Sequence, residues 1–298
     1  MALAKNSAWL QSSKGNQQVN SDELTDDSPP LDVPDLSEPY PITDQQVEQY
    51  QADGFIVLDA VLSPDEVEAY GAGIRRDAMK CFEAANMETA FSGAFLQKLN
   101  LRLESQTMRA YCLSKRLGSI GARLTRSKAV RLYHEQVLFK HPGGNPSYWH
   151  QDQYFWPIET NQSLGTWMPL VDVTEEMGAL CYARGSHRLG DLGQHCIDTE
   201  SQAFFNSVIE EHGLEAYQIN SMKAGDLCVH NGWTIHGAPS NRSSIMREAV
   251  VVTMYPDGTR VAPLLNDYRK SDAVQFLGGR EVGEVANSEL NTILYVDS

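Results

Sequence analysis

The pattern of apolar and polar residues changes character near residue 129. Before this point apolar residues recur mostly at helical spacing, and after it short apolar runs are separated by Gly, Pro and Asn. The first pattern predicts helices and the second predicts β-strands joined by turns. Helices followed by a series of short strands are typical of an α+β fold, in which an antiparallel sandwich or barrel carries an N-terminal helical layer.

Capping residues mark two helices in the N-terminal part. Thr43 precedes a short predicted helix, and Ser63 precedes a longer one that runs to about Ala85. Ser63 is followed by a proline and, three residues past the cap, by a glutamate, which together form a strong helix-start signal. The apolar run 55–62 between the helices predicts a buried strand. The leucine spacing over 96–122 predicts a mostly helical segment.

Strands dominate the rest of the chain. The runs that predict them are 130–140, 148–156, 165–173 and 179–183, with further short strands up to residue 255. Residues 1–40 are rich in Ser, Asn, Gln, Asp and Pro, so we expect a flexible tail that buries little apolar area. The remainder, 41–298, is predicted to be one domain.

Composition narrows the classes of function. The chain has 24 Lys and Arg against 39 Asp and Glu, a formal net charge of −15, which argues against a nucleic-acid partner. No apolar run has the length of a membrane helix, and the first residues lack a secretory signal, so we expect a cytoplasmic protein without a membrane partner. The five cysteines are widely spaced, which disfavours a disulfide framework. A small-molecule partner is expected, and a homodimer is compatible with the sequence.

A candidate metal site begins with His150 and Asp152, separated by one residue inside the predicted strand 148–156. Alternate residues of a strand point to the same side, so this imidazole and this carboxylate could offer adjacent ligands. A second imidazole, His236, lies far enough along the chain for the sheet to return beside the first strand. His230 is the rival ligand if the turn falls differently; otherwise its imidazole packs in the core or hydrogen-bonds a metal ligand. Two histidines and one carboxylate form the facial triad of non-haem Fe(II) oxygenases.

A triad of this kind leaves coordination positions open, and 2-oxoglutarate can occupy two of them. Its far carboxylate then needs a fixed cation, for which a guanidinium is well suited. Arg247, which begins a strongly apolar run, is the candidate, and Arg242 is the alternative. His187 is interpreted as a turn histidine that binds backbone groups.

Together these residues resemble the phytanoyl-CoA dioxygenase-like family of Fe(II)/2-oxoglutarate-dependent oxygenases. The resemblance extends from about Thr43 to Tyr255. It is carried, in order, by the motifs at 53–55, 150–152, 178–180, 185–188 and 225–227 and by His236 and Arg247. The resemblance implies a double-stranded β-helix, or jelly-roll, core. It also implies that His150, Asp152 and His236 hold iron and that Arg247 holds 2-oxoglutarate.

The same resemblance implies two further contacts to the co-substrate, from Gln136 and Trp167. The register of the strand leaves Leu132 or His134 as alternatives to Gln136. Ala238 departs from the family, since some members have a hydroxyl residue two places after the distal histidine. A hydroxyl contact to the co-substrate is therefore missing at this position.

The implied activity oxidises, chiefly by hydroxylation, a C–H bond of a small-molecule metabolite, with a role in secondary metabolism. 2-Oxoglutarate and O2 would become succinate and CO2, and ascorbate is expected to support turnover in vitro. The carboxylate of Asp152 favours oxygen chemistry over halogenation. No cluster of Lys and Arg lies near the motifs, so free small molecules rank above CoA thioesters as substrates. Tyr154 and Trp156, which follow the first ligands, are the candidate substrate contacts.

Three alternatives remain open at this stage. The same iron chemistry can desaturate, epoxidise or close a ring, and the ligand set does not separate these outcomes. A non-catalytic jelly-roll protein that binds a small molecule would keep the fold without turnover. A zinc hydrolase could use the same three ligands, and it would be indifferent to 2-oxoglutarate.

Overall fold

The computed structural model describes residues 33–85, 95–193 and 196–297. Within them the α-helices are α1 (Asp44–Asp53), α2 (Pro64–Ala84), α3 (Gln106–Cys112), α4 (Lys115–Thr125), α5 (Thr199–Glu211) and α6 (Asp267–Leu277). The strands are β1 (Phe55–Leu58), β2 (Leu96–Leu99), β3 (Ala129–Lys140), β4 (Ser147–His150), β5 (Ile158–Glu159), β6 (Leu164–Pro169), β7 (Val173–Thr174), β8 (Cys181–Ala183), β9 (Ala216–Gln218), β10 (Ser221–Met222), β11 (Leu227–Asn231), β12 (His236–Ala238), β13 (Arg247–Pro256), β14 (Arg260–Val261) and β15 (Ile293–Val296).

The helix α2 shows how the N-terminal layer forms. The Ser63 side chain accepts a hydrogen bond from the Glu66 N–H, and the Glu66 carboxylate accepts one from the Ser63 N–H, which completes the predicted capping box. Such a cap is worth about 1 kcal/mol. One face of the helix is buried at a spacing of four residues. Its members are Tyr70, Ile74, Ala78 and Phe82.

The strands form two main antiparallel sheets. The larger sheet has the order β1-β11-β6-β13-β3-β15, and β2 also pairs with β3. The smaller sheet has the order β4-β12-β8-β9. One hydrophobic cluster combines residues of both sheets, such as Trp167 of β6 and Tyr182 of β8. Two sheets closed over a shared interior, with helices outside, confirm the predicted α+β jelly-roll.

Residues of the central strand β13 divide between two cores. Val250, Val252 and Met254 join the helices in one hydrophobic cluster, whereas Ala249 and Val251 join the cluster between the sheets. This division follows from the two-residue period of a strand. Both faces are covered, which explains why the sequence of this strand is a continuous apolar run.

The last residues of the predicted tail 1–40 contact the helical core in the structure. Residues 1–32 lie outside the described part of the chain, but Leu36 is buried in the helical core. The carbonyl of Pro34 accepts a hydrogen bond from the Tyr70 hydroxyl at 2.7 Å. Leu36 is an apolar residue within a polar segment, and it finds a site between helices that composition alone does not reveal.

Two of the predicted elements are also corrected. The strand after α1 ends at Leu58 rather than at residue 62. The segment 96–122 is mostly helical, as predicted, except that its first four residues form strand β2, which pairs with β3, and Asn100 in the left-handed conformation (φ 52°) then turns the chain. Ser105 and Ser114 cap two separate helices, α3 and α4. In the described residues no helix is long and apolar enough to cross a membrane.

Candidate active site

Two adjacent strands of the smaller sheet bring His150 and His236 together. His150 ends β4, His236 begins β12, and the two residues are directly paired. Their ring centroids are 4.2 Å apart. Asp152 follows at the start of a 3-10 turn, and its carboxylate lies 3.5 Å from His150 Nε2 and 3.8 Å from His236 Nε2. One ligand atom from each residue lies within 4.8 Å of the others, a spacing that one metal ion can bridge.

The hydrogen bonds of the two imidazoles fix which nitrogen faces the site. His150 Nδ1 lies 2.7 Å from the carbonyl oxygen of Tyr148, and His236 Nδ1 lies 3.0 Å from that of Thr234. A carbonyl only accepts, so each Nδ1 carries a proton, and each ring turns its Nε2 toward Asp152. A metal-binding histidine is usually oriented in this way by a backbone or carboxylate acceptor.

His230 has the opposite arrangement. Its Nε2 lies 3.2 Å from Asp152 Oδ2, and its Nδ1 lies 3.2 Å from the Tyr182 hydroxyl. Because a carboxylate only accepts, Nε2 carries the proton and Nδ1 accepts from the tyrosine. Nε2, the His230 nitrogen that faces Asp152, therefore carries a proton and has no lone pair for a metal. His230 supports the carboxylate from behind, while His236 offers a free lone pair, so the geometry favours His236 as the ligand.

The pKa values of Asp152 and His236 favour binding of a cation at the site. Burial opposes ionisation of Asp152, but the imidazoles of His236, His150 and His230 outweigh it and hold the pKa of this carboxyl well below its usual value. Burial and the two other imidazoles also lower the pKa of His236 well below its usual value. The site thus presents a carboxylate and neutral imidazole, which are the protonation states that bind metal.

The strand predicted over 148–156 stops at His150. The Gln151 side chain donates to the carbonyls of Gly190 and Trp233, at 2.8 Å and 2.7 Å, and the Gln153 N–H donates to the carbonyl of Gly232. Because of these hydrogen bonds to distant residues, the chain leaves the sheet after His150 and forms a 3-10 turn. Asp152 still lies beside His150, because Gln151 itself is extended. Strand alternation therefore does not extend to the residues after Asp152.

Two of the sequence motifs, at 53–55 and 185–188, contribute hydrogen bonds that hold the loop before His236. Gly54 (φ 80°) caps α1, and its carbonyl accepts hydrogen bonds from the Asn231 N–H and the Thr234 hydroxyl. A Cβ at this position would lie 2.7 Å from Thr234 Oγ1, so only glycine allows the approach. The Ser186 hydroxyl accepts from the Ile235 N–H at 2.8 Å. His187, in the same motif, lies 3.1 Å from the Gln51 carbonyl, as a turn histidine would.

Arg247 is buried in the barrel, with 1% of its surface exposed. One of its NH groups donates to the Gly178 carbonyl at 2.5 Å, and its guanidinium lies 5.4 Å from the centre of the Trp167 ring. Its Nε has no partner, and among the described residues no carboxylate pairs with it. Burial lowers its pKa to about 10. The alternative, Arg242, is exposed on a loop.

Gln136 and Trp167 share one row of the larger sheet, since both are paired with Val251. The Trp167 Nε1 is buried without a hydrogen-bond partner. His134, the alternative to Gln136, is two residues earlier on the same strand, and its buried Nδ1 also has no partner. Leu132, the other alternative, belongs to the hydrophobic core that the helices cover. The register between β3 and β13 shifts between His134 and Leu132, because β3 has one extra residue there, Tyr133.

The candidate substrate residues belong to an aromatic cluster that includes the end of the turn carrying Asp152. Trp156 is buried, with its ring 6.4 Å from His134, and Tyr154 is half-buried at the end of the turn that carries Asp152. Arg269 of α6 binds the carbonyls of Gln153 and Tyr154 and so connects this helix to the turn. Their contact with a substrate stays a prediction.

A family model described as phytanoyl-CoA dioxygenase (PhyH) matches residues 50–249, more than half of the chain. The chain belongs to the phytanoyl-CoA dioxygenase family. Its placement there confirms the resemblance and identifies the protein as an Fe(II)/2-oxoglutarate-dependent oxygenase. Iron and 2-oxoglutarate are accordingly its cofactor and co-substrate.

Proteins similar in sequence to this chain are named for different substrates. Phytanoyl-CoA dioxygenase 1 of Oryza sativa subsp. japonica is 26% identical over 70% of this chain and 87% of that protein. An ectoine dioxygenase of Streptomyces anulatus is 22% identical over 72% of this chain and 78% of that protein. A probable alpha-ketoglutarate-dependent hypophosphite dioxygenase of Stutzerimonas stutzeri is 28% identical, but the match spans only 41% of this chain and 44% of that protein.

Solved structures agree on the fold. The carbocyclase SnoK of nogalamycin biosynthesis, described as non-heme and alpha ketoglutarate dependent, has a TM-score of 0.68 at 21% identity, covering 86% of this chain and 99% of that one. EctD from S. alaskensis with 2-oxoglutarate and 5-hydroxyectoine has a TM-score of 0.59 at 21% identity, covering 78% and 83%. At this level of identity the likeness concerns the jelly-roll alone.

The residues present fit both iron and 2-oxoglutarate. Two imidazoles that turn Nε2 to the site and one carboxylate form a donor set for ferrous iron. The unpartnered nitrogens of Arg247 and Trp167 are buried polar atoms that a bound co-substrate could satisfy. One basic residue in this region, Lys140, was not predicted from the sequence, although it ends the same strand as Gln136. Alternation along β3 places Lys140 on the face of Gln136, but its pairing with Arg247 depends on the register between β3 and β13.

Proposed function

We propose that this enzyme hydroxylates an unactivated C–H bond of a free small-molecule metabolite. The observation that carries the proposal is the orientation of the three histidines around Asp152. His150 and His236 bind backbone carbonyls through Nδ1 and turn Nε2 to the site, whereas Nε2 of His230 lies within hydrogen-bond distance of the Asp152 carboxylate. Bound iron and 2-oxoglutarate would supply the oxidising power, with O2 and 2-oxoglutarate converted to succinate and CO2 as one oxygen atom enters the substrate.

The protein residues would contribute binding, orientation and exclusion of water. His150, Asp152 and His236 would hold the metal, and Arg247 would hold the far carboxylate of the co-substrate. The side chains of His236 and Arg247 are almost fully buried, whereas that of Asp152 is 24% exposed. The side of the site next to Asp152 is therefore where a substrate can approach, and Tyr154 and Trp156 lie near this side.

Charge supports a free metabolite over a CoA thioester. A CoA phosphate needs basic side chains, and two cations in the region of the aromatic cluster already have partners. Arg269 binds backbone carbonyls, and Arg102 forms a buried ion pair with Glu135 at 2.6 Å. The net charge of −15 would repel a polyanionic substrate.

The test is a metabolite screen with purified protein, Fe(II), 2-oxoglutarate and ascorbate, which records succinate release and product mass. Substrate-dependent succinate with a product that gains one oxygen atom and keeps every double bond of the substrate supports hydroxylation, whereas loss of a double bond with the same gain indicates epoxidation. A product that loses two hydrogen atoms assigns desaturation or ring closure to the same site. Tight binding of metabolites by iron-loaded protein that never consumes 2-oxoglutarate would indicate a binding protein, and activity with zinc alone would indicate a hydrolase.

A further inference from the structure

Two buried basic side chains lie next to each other inside the barrel. Lys140 is the last residue of β3, Arg247 is the first of β13, and the two are directly paired across the strands. They are 0% and 1% exposed. Side chains directly opposite in an antiparallel pair have Cβ atoms about 5 Å apart, so both charges act on the same small volume.

Neither side chain has an acidic partner among the described residues. Lys140 Nζ donates to the Pro239 carbonyl at 3.0 Å, and Arg247 donates to the Gly178 carbonyl. Gly178 (φ 77°) lets these acceptors come together, since a Cβ there would lie 2.3 Å from the Pro239 oxygen. The acidic residue next to Arg247, Glu248, pairs with Arg75 of α2 instead.

Two cations without a counter-charge are unfavourable in a buried site. Burial, with Arg247 nearby, lowers the pKa of Lys140 to about 6. The other titratable group that acts on it is the Cys181 thiol of β8, which is neutral because burial raises its pKa to about 12. The site therefore lacks one negative charge, and a carboxylate has two oxygens for two donors.

We propose that Lys140 and Arg247 together bind the distal carboxylate of the 2-oxo acid co-substrate, and that Lys140 takes up a proton as the carboxylate enters. The proposal rests on the proposed function, since it concerns the same site. Lys140 would position the co-substrate and would not contact the atoms that react. Its ammonium and the guanidinium would make the pocket selective for a dicarboxylate.

Anaerobic calorimetry of the Fe(II)-loaded protein tests the proposal. The ligands are 2-oxoglutarate and 2-oxopentanoate, which has the same carbon chain with a methyl group in place of the distal carboxylate. Lys140→Met is expected to weaken 2-oxoglutarate binding by about 10- to 100-fold and to leave 2-oxopentanoate binding unchanged. The control is Lys223→Met, which removes an exposed lysine paired with Asp172 and should change neither affinity.

A second measurement uses the wild-type protein alone, in case Lys140→Met does not fold. Titrations at about pH 8 in two buffers of different ionisation enthalpy give the protons taken up on binding. More uptake is expected with 2-oxoglutarate than with 2-oxopentanoate. Equal uptake, or equal loss of both affinities in Lys140→Met, overturns the proposal. A wild-type protein that binds neither acid would instead refute the proposed function.

Discussion

Replacing His230 separates a supporting role from a ligand role. The imidazole is buried, with 4% of its side chain exposed, and each ring nitrogen has one partner at 3.2 Å. His230→Phe removes a hydrogen bond to the charged Asp152, which is worth about 1.5 to 3 kcal/mol, and leaves the Tyr182 hydroxyl without that acceptor. We expect Fe(II) affinity to fall about 10- to 100-fold, the range typical of residues behind a metal ligand.

The assay is an anaerobic Fe(II) titration against a competing chelator, with His230→Gln, His236→Gln and His187→Gln in parallel. The glutamine amide at 230 can still donate to Asp152, so it should recover part of the affinity. His236→Gln should abolish tight binding, and His187→Gln, outside the site, should leave it unchanged. The reasoning is refuted if His230→Phe abolishes binding while His236→Gln retains it, or if His230→Phe has no effect.

Three further predictions concern the remaining charged groups. Asp152→Ala should abolish iron-dependent 2-oxoglutarate consumption with the melting temperature within a few degrees of wild type, and residual iron-dependent activity would exclude Asp152 as a ligand. Arg247→Met should raise the KM for 2-oxoglutarate by about 30- to 160-fold, which corresponds to about 2 to 3 kcal/mol, and steady-state kinetics at saturating iron would show an unchanged KM if the role lies elsewhere. Burial raises the pKa of Asp272 from 3.8 to about 7, so the folded state binds the extra proton and stability falls as the pH rises through this window. Asp272→Asn should therefore gain in melting temperature over wild type from pH 5 to pH 8, whereas the exposed control Asp267→Asn should show no such trend; a constant difference for Asp272→Asn would contradict the sign.

Local signals in the sequence account for the parts of the fold that were predicted well. The cap at Ser63 and the apolar run of β13 depend on neighbouring residues, and both elements form where they were expected. The triad was predicted because its chemistry restricts the residue types. Its three members are brought together in the structure.

The corrections come from contacts between distant segments. The turn after His150 is formed by bonds from Gln151 and Gln153 to the loop at 232–233, and neither bond can be read from the local pattern. Burial of Leu36 likewise depends on helices far along the chain. Lys140 was missed because its pairing with Arg247 is a matter of strand register, and only the folded sheet fixes that register.

The most direct test is an iron-edge anomalous diffraction map of crystals grown anaerobically with Fe(II) and 2-oxoglutarate. The account predicts one iron bound by Nε2 of His150, Nε2 of His236 and the carboxylate of Asp152, with the co-substrate extending toward Arg247. Iron bound through His230, or bound away from these three residues, would contradict it.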